Sequence, residues 1–351
     1  MNTRRNRILI RKLKKRRRKR ILGVASVLVL LISLMTYVGI KMLNRDNQNP
    51  QSIASGMTPV EETPLVETIN ESSDPKDEEV KPETVATAIE FIKGVQNSSF
   101  SIAGTLPKKI DFDALYKGGS YSIRALSYAY DTDEVKAWMR GTIEYHGPKI
   151  AFLTFDDGPG KYTPAILDLL KEKKVPATFF ILGKSLTKAA DKNIMHRYIK
   201  EGHAIANHSY SHDYSYMYPG RTVNTERVLE EYQKALNLMK ETLGNKFNTT
   251  VFRYPGGSGS WSDIEPSKAA LAAIGVKFID WNSMSGDAEP KNRRPSGNEA
   301  LSDYVLTTIN KNRHPEIAVV LMHDSLEVTP GYIGLVIDKL RAQGYQFGIL
   351  K

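Results

Sequence analysis

Two hydropathic patterns divide the chain. Residues 21–40 are an unbroken run of 20 uncharged, mostly aliphatic residues. At 1.5 Å per residue, a helix of that length crosses a hydrocarbon core of about 30 Å. From about Lys149 onward, short apolar runs alternate with amphipathic stretches. The pattern predicts strands over 149–155, 177–182, 203–206, 276–281, 317–322 and 346–350. It predicts helices over 164–173, with proline in the first turn, and over 191–200, 224–243, 301–310 and 332–343. Strands apolar on both faces and alternating with helices imply a buried parallel sheet, open or closed into a barrel. In either form, functional groups are expected at the carboxyl ends of the strands.

Charge changes the reading of the apolar run. The 351 residues carry 49 Lys+Arg against 39 Asp+Glu, but twelve of the cations and none of the acids lie in residues 1–20. Removing that tail leaves a body with 37 basic and 39 acidic residues. The excess is therefore a flank of the apolar run. By the positive-inside rule it orients a single transmembrane helix, 21–40, with residues 1–20 cytoplasmic and the remainder outside. No A-x-A pattern follows the run, which favours an uncleaved anchor over a signal peptide; nucleic acid is not expected as a partner of the cations. Residues 41–85 carry Pro59, Pro64, Pro75 and Pro82, with nine acids and two lysines between Glu61 and Glu83. They read as an extracellular disordered linker. Residues 86–147 read as an N-terminal extension of unassigned role, too short for a comfortable independent domain; residues 148–351 read as the catalytic domain. The absence of cysteine excludes thiolate metal sites, a Cys nucleophile and disulfides.

Chemistry-bearing residues recur at the predicted strand ends. Asp156 and Asp157, in the run TFDDGP, can divide between a metal and a water, although Asp-Asp-Gly-Pro is also ordinary turn chemistry. His208 and His212, four apart in HSYSH, are placed for one face of a helical turn and one ion. With Asp157 they make a donor set suited to Zn²⁺ in a hydrolase or Fe²⁺ in an oxygenase. Arg253, in RYPGG, can position a carboxylate, and Gly256 can present a bare N–H to an oxyanion. The segment DWNSMSGD offers a carboxylate to pair with Arg253. His323 ends the run LMH, where a general acid can stand. His146, His196, His203 and His314 match none of these runs and read as structural or surface residues.

In order, TFDDGP, HSYSH, RYPGG, DWNSMSGD and LMH resemble the five motifs of the polysaccharide deacetylase family, the family-four carbohydrate esterases or NodB-homology domain. The resemblance covers about 200 residues, from Lys149 to the C-terminus. It implies an α/β fold, a distorted (β/α) barrel, here preceded by the transmembrane helix and linker. It implies metal-dependent removal of N-acetyl groups from N-acetylglucosamine in a bacterial cell-wall glycan, peptidoglycan first and wall polysaccharide or its linkage unit second. The alternatives are an O-acetyl esterase or a non-catalytic wall-binding module. By position, Asp156 matches the general base and Asp157, His208 and His212 the ligands of one divalent ion, usually zinc, with cobalt as a substitute. Arg253 matches the residue orienting the base, Asp287 the acid holding that arginine, and His323 the general acid. Gly256, Tyr254 and Leu321 fall among the substrate-binding positions, Gly256 toward the oxyanion and Leu321 toward the acetyl group. Ala288 departs from the family, which often has Trp there as a groove wall; Trp261 or Trp281 are candidate replacements. The implied enzyme is a single-pass membrane protein of a Gram-positive bacterium, with the catalytic domain outside.

Overall fold

The computed structural model describes residues 111–187 and 189–351. The basic tail, the apolar run and the linker lie outside the described residues, as do residues 86–110. Among the described residues, no helix is long and apolar enough to cross a membrane.

In chain order the elements are β1 (Ala129–Tyr130), α1 (Thr132–Met139), β2 (Ile150–Gly158), α2 (Thr163–Lys173), β3 (Thr178–Ile181), α3 (Ala189–Lys200) and β4 (Ala204–Asn207). They continue with α4 (Tyr214–Met217), α5 (Thr225–Leu243), β5 (Val251–Phe252), α6 (Glu265–Ala273), β6 (Lys277–Phe278) and β7 (Ser283–Met284). The last are α7 (Asn298–Asn310), β8 (Ile317–His323), α8 (Thr329–Ala342), β9 (Gln346–Phe347) and β10 (Ile349–Leu350). The main sheet runs β6-β5-β4-β3-β2-β8-β7, with β9 beside the start of β2, and every pairing in it is parallel.

Local sequence sets the boundaries. Asn224 caps α5 by accepting from the Arg227 N–H, and Gly244, at φ 88°, ends it. Between them Val228, Tyr232, Ala235, Leu236 and Met239 bury one helical face against the sheet. The expected strand over 276–281 shortens to β6 because the chain then leaves to cross the barrel mouth. Ile279 donates its N–H to Phe252, and Asn282 donates to Val319. Residues 279–282 thus link the two sheet edges, β6 and β7, which this short connection holds within about 17 Å. The sheet is therefore a curled, distorted (β/α) barrel.

Alternation along the strands sorts two cores. Ile150, Phe152, Phe180, Ala206, Val251 and Val319 fill the barrel interior. Leu153, Phe155, Phe179 and Ile205 face outward under the helices. Residues 111–147 belong to the same packed unit. Val135 of α1 enters the interior cluster, and β1 pairs with β10. The expected final strand over 346–350 divides at Gly348, where a Cβ would press on Tyr130 and Phe152. Its first half pairs with β2 and its second with β1.

Candidate active site

The inward face of β2 ends on Thr154 and Asp156. Asp156 lies beside His323 in the β2–β8 register, and its Oδ1 accepts from Arg253 Nη1 at 2.7 Å. The same nitrogen donates to Thr154 Oγ1 at 2.8 Å, while Nε donates to the Ile279 carbonyl at 3.1 Å. Arg253 is fully buried, with its guanidinium 3.9 Å from the Phe180 ring centroid. Burial pushes the Asp156 carboxyl above its ordinary range, against the opposing pull of Arg253 and His323. After Asp156 the β2–β3 register shifts, and Asp157 takes a left-handed φ of 76°. This bulge turns the second carboxylate toward the same cleft instead of the opposite face. Gly158 follows where a Cβ would collide with the Asp324 carboxylate.

His208 leaves the end of β4 and donates from Nδ1 to the Arg253 carbonyl at 2.9 Å, which leaves Nε2 as its free donor atom. That Nε2 stands 3.7 Å from Asp157 Oδ1, and His212 Nε2 stands 3.6 Å from the same oxygen. One ligand atom from each of the three residues lies within 4.8 Å of the others. Asp157 Oδ1 is buried without a hydrogen-bond partner. Burial holds the His208 imidazole down at about 3, so it is neutral near pH 7. Two imidazoles and a carboxylate whose Oδ1 has no other partner, gathered on one centre, fit a divalent cation.

The two histidines do not share a helical turn, as their spacing suggested. Ser209 and His212 adopt φ of 74° and 57°, so a tight loop brings them together. Glu231 of α5 holds that loop: one carboxylate oxygen accepts from the Tyr210 N–H, the Ser211 N–H and the Ser211 hydroxyl.

Across the cleft, His323 Nδ1 lies 2.9 Å from Asp287 Oδ1, and the His323 N–H donates to Oδ2 at 2.9 Å. Tyr332 donates to that Oδ2 at 2.8 Å. Burial opposes the imidazolium, but the hydrogen bond and charge of Asp287 outweigh it and raise His323 to about 9. Burial likewise opposes the Asp287 carboxylate, and His323 outweighs it and lowers the acid.

Two expectations require correction. Asp287 does not hold Arg253; it holds His323, while carbonyls of residues 279 and 280 hold the arginine. Asp280 instead accepts from the Ser258 N–H. The Tyr254 side chain is not in the cleft. Strand alternation sends it outward, where it is fully buried and hydrogen-bonded to Ser267. Gly256 and Leu321 do line the cleft, an open space of about 380 Å³. Trp281, Ala288 and Tyr214 line it too. Trp261 lies behind Tyr214, with ring centroids 4.9 Å apart. Of the remaining histidines, His203 is buried and accepts from the Ala177 N–H, while His146 and His314 stand beside Glu144 and Glu316.

Thr154, Glu231, Tyr332 and Tyr214 were not singled out from sequence. Strand alternation from Asp156 points to Thr154. Tyr214 follows the second histidine by two residues, and the other two carry no local signal.

Three residues able to hold a divalent ion stand at the carboxyl mouth of a curled parallel barrel, with an arginine-held carboxylate and a carboxylate-held histidine around them, an arrangement suited to hydrolysis. Residues 144–278 match the family model described as polysaccharide deacetylase. The chain is 33% identical over 216 residues to the putative polysaccharide deacetylase YheN of Bacillus subtilis, covering 58% of this chain and 68% of that protein. It is 32% identical over 202 residues to a peptidoglycan-N-acetylglucosamine deacetylase of Bacillus cereus, covering 57% and 68%. A CE4 esterase structure from Streptococcus mutans superposes with a TM-score of 0.66 at 39% identity, covering 69% of this chain and all of that one. The chain belongs to the polysaccharide deacetylase family, and is a hydrolase of that class.

Proposed function

We propose that the protein removes N-acetyl groups from N-acetylglucosamine units of a bacterial cell-wall glycan, releasing acetate. The observation that carries this reading is the convergence of Asp156, His323 and the Asp157–His208–His212 cluster on one cleft. Peptidoglycan is the first substrate, as the name of the Bacillus cereus relative suggests. Wall polysaccharide is the second, favoured by the small Ala288 in the cleft lining.

Asp157, His208 and His212 would hold one divalent ion, zinc by the nitrogen and oxygen character of the donors, with cobalt as a substitute. Such an ion supplies Lewis acidity, bringing water toward ionisation near neutral pH and drawing electron density from an acyl oxygen. Asp156 takes the proton from the attacking water. Arg253 keeps that carboxylate oriented through Oδ1 and leaves Oδ2 to the cleft. The Gly256 N–H stabilises the developing oxyanion, and Leu321 forms the apolar seat of the acetyl methyl. Protonated His323, held by Asp287, delivers its proton to the leaving nitrogen. Each acid or base of this kind contributes roughly 10²- to 10⁴-fold. The products are acetate and a glucosamine unit that becomes an ammonium.

The 20-residue apolar run behind twelve cations supports a single-pass anchor with the catalytic domain outside the membrane. The test is acetate release and mass loss from separated peptidoglycan and wall-polysaccharide fractions, with and without chelator. Chelator-sensitive release from either fraction supports the reading; release from neither refutes it.

A further inference from the structure

The rim of the cleft carries an aromatic ring that the proton-transfer groups do not use. Tyr214 lines the cleft and is 42% exposed, whereas Asp156 and His208 on the floor are each 2% exposed. Its position is fixed from several sides. Asp213 caps the short helix α4 by accepting from the Ser215 and Tyr216 N–H groups. The Tyr214 ring centroid lies 5.0 Å from that of His212 and 4.9 Å from that of Trp261. Trp261 in turn stacks on Tyr218 at 4.1 Å and donates from its indole to the Pro255 carbonyl at 2.8 Å. Gly256 completes the arrangement. At φ 77°, its missing Cβ would sit 3.2 Å from the Tyr214 hydroxyl and 3.0 Å from Trp261.

We propose that Tyr214 is a sugar-stacking subsite for the pyranose next to the one being deacetylated. The inference rests on the glycan-deacetylase reading. The C–H faces of a pyranose are apolar and carry weakly positive hydrogens, which suit the negative face of an aromatic ring. A ring already immobilised by Trp261 and His212 loses little freedom on binding. The reacting acetamide has to reach Asp156 and His323 on the floor, so a ring at the rim beyond His212 meets a neighbouring unit. Trp281 and Ala288 line the same cleft, and Trp281 stands where a Cβ on Gly257 would meet it.

The test uses full-length protein and a β-1,4-linked tetramer of N-acetylglucosamine. Tyr214→Ala raises KM for the tetramer about 10-fold and leaves kcat within about twofold, while Tyr214→Phe retains the wild-type KM. Tyr214→Leu, which keeps apolar bulk against His212, shows the same rise in KM as the alanine variant. Bound metal, measured by elemental analysis, is unchanged in all three. Titration of metal-free protein with tetramer, followed by intrinsic tryptophan fluorescence, gives a saturable change that Tyr214→Leu weakens about 10-fold. An unchanged KM in Tyr214→Leu overturns the subsite, as does a joint fall of kcat and metal content, which would mark the ring as a prop for His212. If the wild type binds tetramer but releases no acetate from any glycan, the functional reading fails and the fluorescence titration still judges the subsite.

Discussion

Replacing Asp287 with Asn removes a charge and almost no volume, so it isolates what that carboxylate does to His323. Asp287 approaches His323 twice at 2.9 Å, through the ring and through the backbone. The imidazole moves from its ordinary value of 6.5 to about 9 in its company. That difference corresponds to about 3 kcal/mol in favour of the charged form. The raised value means that His323 is protonated, and competent to donate, up to alkaline pH. It also means that its contribution to stability is complete below about pH 6.5 and is lost as pH rises through about 9. In Asp287→Asn the carboxylate's support vanishes while burial still opposes the charge, so the imidazole falls to its ordinary value or below it. The alkaline limb of kcat/KM for acetate release should then shift down by at least about 2 pH units. At pH 7 the rate should fall by at least about 4-fold, the loss in protonated imidazole when the group returns to its ordinary value. A bound cation lowers the limb in both proteins, so the difference between them is the observable. The assay is a pH–rate profile of acetate release, paired with NMR titration of histidine-labelled protein. An alkaline limb that stays in place in the asparagine variant, with a His323 resonance still titrating near 9, would refute the assignment.

Three further outcomes follow from the same geometry. Arg253→Met leaves the buried Asp156 without its principal counter-charge, so the acid limb of kcat/KM should move to higher pH, as read from the same pH–rate profile. Glu231→Ala removes three hydrogen bonds from the 210–211 loop and should cost roughly 3 kcal/mol in denaturant unfolding, with at least a 10-fold loss in metal affinity by competition with a chromophoric chelator. Asp324 is buried, accepts from Thr163 at 2.7 Å, and is raised by burial to about 7. An acid raised in the folded state penalises folding progressively as pH climbs from 3.8 toward about 7. Asp324→Asn should therefore stabilise the metal-free protein by up to about 4 kcal/mol at pH 8 and by little at pH 4, compared by thermal unfolding at the two pH values.

What the sequence made legible, and what it did not, follows the range of the interactions involved. The runs around Asp156, His208, Arg253 and His323 were readable because each combines a local apolar strand with a polar residue at its carboxyl end. Thr154 was readable in principle by the same alternation. The partner of Asp287 was not, because it depends on strand order. β7 pairs with β8, matching Met284 with Leu321, so the residue three beyond β7 meets the residue two beyond Leu321. Arg253 ends β5, beside β6, at the other end of the strand path. Its guanidinium is instead held where residues 279–282 cross between the two edges, a connection no periodicity announces. The same long-range geometry explains the Arg253–Asp156 contact. Along the sheet, β2 and β5 are separated by β3 and β4, a path of about 14 Å at ordinary strand spacing. Only a strongly curled sheet lets an arginine from one and an aspartate from the other meet at 2.7 Å. The curl thus does chemical work. It carries Arg253 under Asp156 from across the barrel, while β8 delivers His323 beside Asp156 in register, so that the candidate base and acid converge on one opening with the candidate metal ligands at the end of β2 and after β4.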